Sequence, residues 1–289
     1  MKCASFERAS TLDCALKLAH GYGEKAAFVA GATDVLVKAR EKDCYADRHM
    51  IDISDISSLK EIKIADGRIH IGALATHAQI SKDEIIQKHA QVLALACAEV
   101  GSPQIRNKGT LGGNIANSSP AADSFAALAV LNATVVIESA AGQHCMPFSE
   151  VITGPYKNKL QPEEIITEII VDCLSEDYRH AFYKVGRRNA LAISRLTAAG
   201  VLQKDSSGAV KDVRLALGSV FPTPVVFSEI TSPVIGKVPS SDDIARIAEK
   251  LSAKIPEIAG IRPSTRYKQP VAGNVIERVL TNLLGGPVS

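Results

Sequence analysis

The segment from Gln104 to Asp123, QIRNKGTLGGNIANSSPAAD, contains the side chains best suited to hold a polar ligand. The pair Gly112 and Gly113 lacks Cβ atoms, so the backbone there can adopt positive φ and approach a ligand closely. Hydroxyl and amide groups surround this pair, at Thr110, Asn114, Asn117 and Ser118. We interpret the segment as a polar loop that binds a ligand.

The end of this segment predicts the start of a helix. Ser119 followed by Pro120 is typical of an N-cap and a first helical residue, with the helix continuing through Phe125 to Leu131. The first N–H groups of a helix have no partner within it, and they favour an anion such as a pyrophosphate.

A second glycine loop lies upstream, in FVAGATDVLV. The apolar run Ala26–Ala30 predicts a buried strand, Gly31–Asp34 a turn, and the following apolar run a helix. A single glycine loop is usually only a turn, but two in one small domain predict a ligand of dinucleotide size. The Rossmann fingerprint is excluded, because Gly21-x-Gly23 precedes the strand instead of following it.

Composition restricts the class of protein. The chain has 289 residues, 46% of them hydrophobic, and 33 basic against 31 acidic residues give a net charge of +2. Without a long basic run we expect no nucleic-acid partner. The chain has no uninterrupted apolar stretch long enough to predict a membrane span. Its first residues lack the apolar segment of a secretory signal, so a cytoplasmic protein is expected.

The six cysteines are scattered along the chain without a C-x-x-C pair. Neither a zinc site nor an iron–sulfur cluster is predicted from this spacing, and free thiols in a reducing compartment are expected. Any metal centre of a redox reaction would therefore lie in another chain. The isolated histidines and the absence of a Ser-His-Asp pattern give no reason to propose a hydrolytic site.

The pattern of elements favours an α+β fold over a doubly wound parallel sheet, because hairpins alternate with helices. Residues 192–203 fit a strand or a helix equally well on periodicity. A domain boundary is expected near Asp172–Arg179, where polar residues cluster. The predicted helices are Thr11–His20, with Ser10-Thr11 as its cap candidate, Asp83–Val100, Ser241–Ala253 and Ala272–Leu284. The predicted strands are Met50–Ile53, Glu61–Ile71 as a hairpin that turns at Asp66-Gly67, Thr134–Glu138 and Gln143–Met146 as a second hairpin, Glu164–Val171, Arg179–Val185 and Val210–Val220.

Both glycine segments resemble those of one family, the FAD subunits of molybdenum-containing hydroxylases. VAGATDVL resembles its first flavin-binding loop, written AGGTDLL, and QIRNKGTLGGNIANSSPAAD resembles its second, written QIRNVATIGGNICNASPAAD. The likeness spans the chain and continues through LQPEEIITEI, HAFYKVGRR, GSVFPTPV and RPSTRYKQPVAGNVIERVL. Relatives include subunits of xanthine, nicotinate and carbon monoxide dehydrogenase-like enzymes.

The resemblance implies a p-cresol methylhydroxylase-type FAD-binding domain of two lobes over residues 1–174, and a smaller α+β C-terminal domain over residues 175–289. It implies FAD in this chain, a large partner with the molybdenum cofactor and a small partner with [2Fe–2S] clusters. A dimer of heterotrimers is expected, with NAD(P) or another compound as electron acceptor.

The resemblance also implies roles for single residues in flavin binding. Asp123, in the first turn of its helix, matches an acidic FAD contact, Lys184 a basic contact, and Tyr183 a position beside the flavin ring. Ala32 departs from the glycine of many members, and FAD binding is expected to survive this change. The full set of expected contacts is Phe28, Val29, Ala30, Gly31, Ala32, Thr33, Asp34, Val35, Val100, Thr110, Leu111, Gly112, Gly113, Asn114, Asp123, Ile166, Tyr183 and Lys184.

Two other functions stay open at this point. The chain could be a stand-alone FAD-dependent reductase of the same fold, which would be active without partners. It could also be an assembly subunit that has lost FAD, although the intact glycine loops argue against this. The substrate of the complex is not predicted, because its pocket would lie in another polypeptide.

Overall fold

The computed structural model describes residues 2–188 and 191–285. Within these ranges the chain forms a mixed α and β structure, so the expected α+β class is confirmed. Residues 1, 189–190 and 286–289, which the predicted domain ranges include, lie outside the described residues.

The first lobe is a small parallel sheet that carries the first glycine loop. Its strand order is β1-β3-β2, and α1 packs against it through buried alanines such as Ala15 and Ala19. Thr11 caps α1 as predicted, because its side chain accepts a hydrogen bond from the Cys14 N–H. The elements are β1 (Ser5–Arg8), α1 (Leu12–Tyr22), β2 (Ala26–Val29), α2 (Val35–Glu41) and β3 (His49–Asp52).

The second lobe is built on a five-stranded antiparallel sheet in the order β4-β5-β10-β6-β7. Both predicted hairpins are confirmed, and Asp66 and Gly67 form the turn of the first with positive φ. A separate two-stranded hairpin, β8-β9, follows the short helix Phe148–Val151. The strands are β4 (Ile62–Ala65), β5 (Arg68–Gly72), β6 (Thr134–Ser139), β7 (Gly142–Pro147), β8 (Ile152–Gly154), β9 (Lys157–Asn158) and β10 (Ile165–Asp172).

Helices cover one face of this sheet and form its core. α5 is buried along most of its length, through Val92, Leu93, Ala96 and Cys97 among others, and it packs against α8. Burying apolar side chains in this way is the main stabilising contribution. The helices are α3 (His77–Ile80), α4 (Glu84–His89), α5 (Gln91–Ala98), α6 (Pro103–Arg106), α7 (Leu111–Asn117), α8 (Ser124–Val130) and α9 (Phe148–Val151).

The C-terminal part is a four-stranded antiparallel sheet, β11-β12-β13-β14, covered by two long helices. Of residues 192–203, ambiguous in sequence, those from Leu196 onward form a strand, because they pair with both neighbouring strands of the sheet, whereas residues 192–195 precede it. The elements are β11 (Arg179–Val185), β12 (Leu196–Lys204), β13 (Val210–Gly218), β14 (Val225–Val226), α10 (Ser228–Thr231), α11 (Ser241–Ala259) and α12 (Thr265–Leu284).

The single helix predicted over Asp83–Val100 is wrong, because the structure divides it at Ala90 into α4 and α5. Ala90 leaves the helical region with φ −146° and ψ 40°. His89 is held at this point by Leu174: its ring Nδ1 lies 2.8 Å from the Leu174 carbonyl oxygen, and its own carbonyl accepts from the Leu174 N–H. Contacts with the end of the sheet therefore override the continuous helical pattern.

The interpretation of residues 104–123 as a loop is also wrong, because α6 and α7 lie within it. Gly112 and Gly113 belong to α7, and neither has positive φ. The following helix does not begin at Ser119 and Pro120 but at Ser124, with Asp123 in the N-cap position. Ser119 instead closes a turn by accepting a hydrogen bond from the Ala121 N–H.

Candidate functional site

The first glycine loop joins the end of β2 to the start of α2 and lies against residues 108 and 109. Gly31 is required by this approach, because a Cβ there would lie 1.8 Å from the Lys108 carbonyl oxygen. Ala32 has φ 58°, in the left-handed region that glycine adopts without strain. The loop therefore has a left-handed conformation at the position where many members of the family have glycine, and the alanine found here is strained by it.

Unpaired backbone donors distinguish this loop. Within the described residues, the N–H groups of residues 31–35 make no backbone hydrogen bond, while the carbonyl groups of Ala32 and Asp34 accept from α2. Successive N–H groups around a left-handed residue form a concave nest that favours an anion. The loop therefore has the donors that a diphosphate needs.

The second glycine segment forms the opposite wall as α7. Thr110 caps this helix by accepting from the Gly113 N–H at 3.1 Å. The N–H groups of Leu111 and Gly112 donate to the carbonyl groups of Ala75 and Ala73. The first amides of α7 are thus already engaged within the chain, so backbone donors to an anion come from the first loop.

Close packing explains the first glycine of the pair. A Cβ on Gly112 would lie 2.6 Å from the Cβ of Ala73, far inside van der Waals contact. Gly113 is exposed and faces the cleft, and a Cβ there would meet only the hydroxyl oxygen of Thr110 at 2.8 Å. One glycine therefore serves packing, and the other leaves room in the cleft.

The two glycine segments enclose a cleft of about 280 Å³. Sequence-predicted contacts that line it are Phe28, Ala30, Gly31, Ala32, Thr33, Asp34, Val35, Val100, Thr110, Gly112, Gly113, Asn114 and Ile166. Val29 and Leu111 are buried beside it and do not line it. Thirteen of the expected contacts thus come together although they are far apart in sequence.

The cleft also contains side chains that the sequence did not single out. Lys38 lies on the wall opposite Asn117, which the sequence analysis had already named, and Leu160, Glu164 and Ile165 line the cleft beside Ile166. The position of Lys38 one turn after Asp34 was a signal that could have been used, because residues four apart share a helix face. Leu160 begins the segment LQPEEIITEI that resembles the family, but only Ile166 of that segment was expected to contact the cofactor.

His77 is another lining residue, almost completely buried. Its Nδ1 lies 3.5 Å from the Sγ of Cys97. Burial lowers the pKa of His77 to about 4, with a smaller contribution from the nearby positive charge of Arg106, so the imidazole is neutral at pH 7. Burial likewise raises the pKa of the Cys97 thiol.

A second cleft, of about 750 Å³, lies on the other side of Val100 and is bounded by residues 98–106 and β11. Lys184 lines it, and its Nζ lies 2.7 Å from a carboxylate oxygen of Asp123 and 2.7 Å from the Glu99 carbonyl oxygen. Ser194 donates a further hydrogen bond to Asp123. The pair therefore connects the start of α8 to the C-terminal sheet.

Burial governs the electrostatics of this pair. The side chains of Lys184 and Asp123 are only 9% and 7% exposed. Burial raises the pKa of Asp123, opposed by the hydrogen bonds from Lys184 and Ser194. A buried charge of this kind depends on its partner, so neither side chain can be removed without leaving the other uncompensated.

Tyr183 faces away from Lys184, because neighbouring residues of a strand point to opposite sides. Asn282 donates to its hydroxyl at 3.2 Å, and the guanidinium of Arg278 lies 5.3 Å from the ring centroid. Its ring thus packs against α12, and the residue also lines the second cleft.

Within the described ranges, no group of three or more histidine, cysteine or acidic side chains is arranged to hold a metal ion. None of the helices described is long and apolar enough to cross a membrane.

Comparison with known proteins agrees with this geometry. Residues 2–171 match the family described as the FAD binding domain in molybdopterin dehydrogenase, and residues 181–283 match the CO dehydrogenase flavoprotein C-terminal domain. The chain is 32% identical to the nicotinate dehydrogenase FAD-subunit of Eubacterium barkeri, over 98% of this chain and 97% of that one. It is 35% identical to the xanthine dehydrogenase FAD-binding subunit of Escherichia coli O157:H7, over 77% and 76%.

A solved structure shows the same fold. A chain of carbon monoxide dehydrogenase from Hydrogenophaga pseudoflava superposes with a TM-score of 0.89 and 25% identity, over 98% of this chain and 97% of that one. The family match covers more than half of the described chain, and the sequence relatives extend over most of it. The chain therefore belongs to the family of FAD-binding subunits of molybdenum hydroxylases.

Proposed function

We propose that this chain binds FAD in the cleft between the first glycine loop and α7, and that it acts as the electron-transferring subunit of a molybdenum hydroxylase complex. It accepts electrons from [2Fe–2S] clusters of a small partner subunit and passes them to NAD(P) or another acceptor. A large partner subunit with the molybdenum cofactor oxidises the substrate. Relatives named as FAD-binding subunits and medium chains support this assignment.

The row of unpaired N–H groups at residues 31–35 is the observation that carries the proposal. These donors suit the diphosphate of FAD, and the missing Cβ atom of Gly113 leaves space in the cleft beside them. Phe28 and Ile166 line an apolar part of the same cleft, which suits an aromatic ring of the cofactor.

Other expected contacts act from farther along the chain. Lys184 lines the cleft beyond Val100, where polar groups of the flavin end would find a hydrogen-bond partner, and the buried Asp123 lies behind it as the partner of its ammonium group. Bound FAD supplies the redox chemistry, and the protein residues hold and surround it. No side chain is assigned as a catalytic acid or base.

We assign residues 1–174 to the FAD-binding domain and residues 175–289 to the C-terminal domain, close to the gap between the two family matches. The assembly is a dimer of heterotrimers in the cytoplasm. Names such as "6-hydroxypseudooxynicotine dehydrogenase complex subunit alpha" support a multisubunit enzyme.

The visible spectrum of the purified chain, alone and co-expressed with its genomic neighbours, tests the proposal. We expect flavin bands, FAD released on denaturation, and added iron–sulfur absorption only in the co-purified material. Reductase activity of the chain without partners would favour the stand-alone flavoprotein instead. A colourless protein that binds no added FAD would refute flavin binding, and one that still assembles with its neighbours would be an assembly subunit.

A further inference from the structure

The helix that follows the first glycine loop has little to hold it in place. None of the side chains of α2 is buried, and Leu36 and Val37 are 47% and 52% exposed. Most helices are fixed by burying an apolar face, so this one is expected to move away from the protein at low cost. Its position matters because it carries the loop with the unpaired N–H groups.

Three polar side chains connect α2 to the opposite wall of the cleft. Lys38 Nζ donates to the Oδ1 of Asn117 at 2.6 Å. Asn117 in turn donates through Nδ2 to the Oδ1 of Asp34 at 2.8 Å. Asn117 is the last residue of α7, so this closing bridge (Asp34, Lys38 and Asn117) spans the two glycine segments.

The far end of the bridge is firmly attached. Asn158 donates to the Ala116 carbonyl oxygen at 2.8 Å, and the Tyr156 N–H donates to the Ser118 carbonyl oxygen at 2.8 Å. The ammonium of Lys38 also lies 5.4 Å from the centroid of the Tyr156 ring, within the range of a cation–π contact. The β8-β9 hairpin thus fixes the end of α7, and α2 is the side that can open.

We propose that the closing bridge holds α2 and its loop against α7 and thereby limits the rate at which FAD leaves the cleft. This inference rests on the proposed FAD site. Lys38 is a positioning residue that acts by holding the loop. Among the described residues that line the cleft it is the one lysine or arginine, so it also offsets the negative charge of the diphosphate.

Replacement of Lys38 in the full-length, FAD-loaded chain tests the inference. In Lys38→Met we expect FAD to dissociate about tenfold faster, equivalent to about 1.4 kcal/mol, because both the hydrogen bond and the charge are lost. The rate is measured by the return of free-flavin fluorescence after dilution. Lys38→Arg should dissociate at a rate near that of the wild type, because it retains the charge and the donors.

A matched control uses a lysine of another exposed helix. Lys17 donates to Asp13 at 2.7 Å in α1, so Lys17→Met removes a comparable surface pair outside the cleft and should leave the FAD rate unchanged. The melting temperatures of the FAD-free proteins should stay close to that of the wild type. A Lys38→Met rate within twofold of the wild type would overturn the bridge alone, whereas a wild-type chain that binds no FAD would refute the site itself.

Discussion

The Gly112→Ala variant tests whether the close contact between α7 and Ala73 contributes to the stability of the fold. Alanine at this position has two opposing effects on the free energy of unfolding, a steric clash and a higher helix propensity. A methyl group at this position would lie 2.6 Å from the Cβ of Ala73 and 2.9 Å from its carbonyl oxygen. Carbon atoms prefer about 3.5 to 4.0 Å, so a shift of about 1 Å is required. Ala73 is held in place, because its N–H donates to Thr167 and its carbonyl accepts from Gly112.

The expected change in the free energy of unfolding is the difference between the cost of overpacking and the gain in helix propensity. Overpacking a well-packed interior costs about 1 to 3 kcal/mol. Replacing a helical glycine by alanine returns about 1 kcal/mol of helix propensity, since Gly112 has ordinary helical φ. We therefore expect Gly112→Ala to lower the free energy of unfolding by up to about 2 kcal/mol.

Gly273 provides the matched control. It lies inside α12, where an added Cβ would be 3.9 Å from the Ser252 hydroxyl oxygen, an ordinary contact. Gly273→Ala should therefore be neutral or stabilise the chain by up to about 1 kcal/mol. Because the chain has no tryptophan, urea unfolding of the FAD-free proteins is best followed by far-UV circular dichroism. If Gly112→Ala proved as stable as Gly273→Ala, the packing argument would be refuted.

Three further predictions concern strain, charge and pH. Ala32→Gly should stabilise the FAD-free chain by up to about 1 kcal/mol in urea unfolding, because φ 58° strains alanine; a loss of stability would contradict this. Lys184→Met should cost about 3 kcal/mol, because it leaves the buried Asp123 without its cation, and adding Asp123→Asn should recover most of it; equal stability of the single and double variants would exclude the pairing. The free energy of unfolding should fall as pH drops from about 6.5 to 4, because the folded-state pKa of His77, about 4, lies below its unfolded value and only the unfolded state binds the proton. His77→Leu should remove up to about 3 kcal/mol of this fall, and an unchanged pH dependence would contradict the assignment.

Local patterns in the sequence predicted much of the fold. The hairpin at Asp66 and Gly67 and the cap at Thr11 depend on neighbouring residues alone, and both are found. The break at Ala90 could not be predicted, because it depends on Leu174, which is far away in sequence. Predictions therefore failed where contacts between distant segments decide the backbone.

The α7 segment shows the same limit at the site. Two adjacent glycines favour a loop on intrinsic propensity, since each costs about 1 kcal/mol in a helix. The structure nevertheless forms a helix there, because Thr110 caps it and the Ala73 and Ala75 carbonyl groups accept from its first amides. Ala73 and Ala75 lie more than thirty positions upstream of the amides that they bind, so only the three-dimensional structure reveals these contacts.

This arrangement also changes how the family motif is understood. The first N–H groups of the second glycine segment donate hydrogen bonds within the protein, whereas the N–H groups of residues 31–35 in the first loop make no backbone hydrogen bond. The two segments are therefore not equivalent walls of one cradle. α7 is a fixed surface, tied to the sheet through Gly112 and Ala73, and the first loop supplies the donors on an exposed helix that depends on the closing bridge. A mutation of Gly112 should consequently act first on the stability of the fold, and a mutation of Lys38 first on retention of the cofactor.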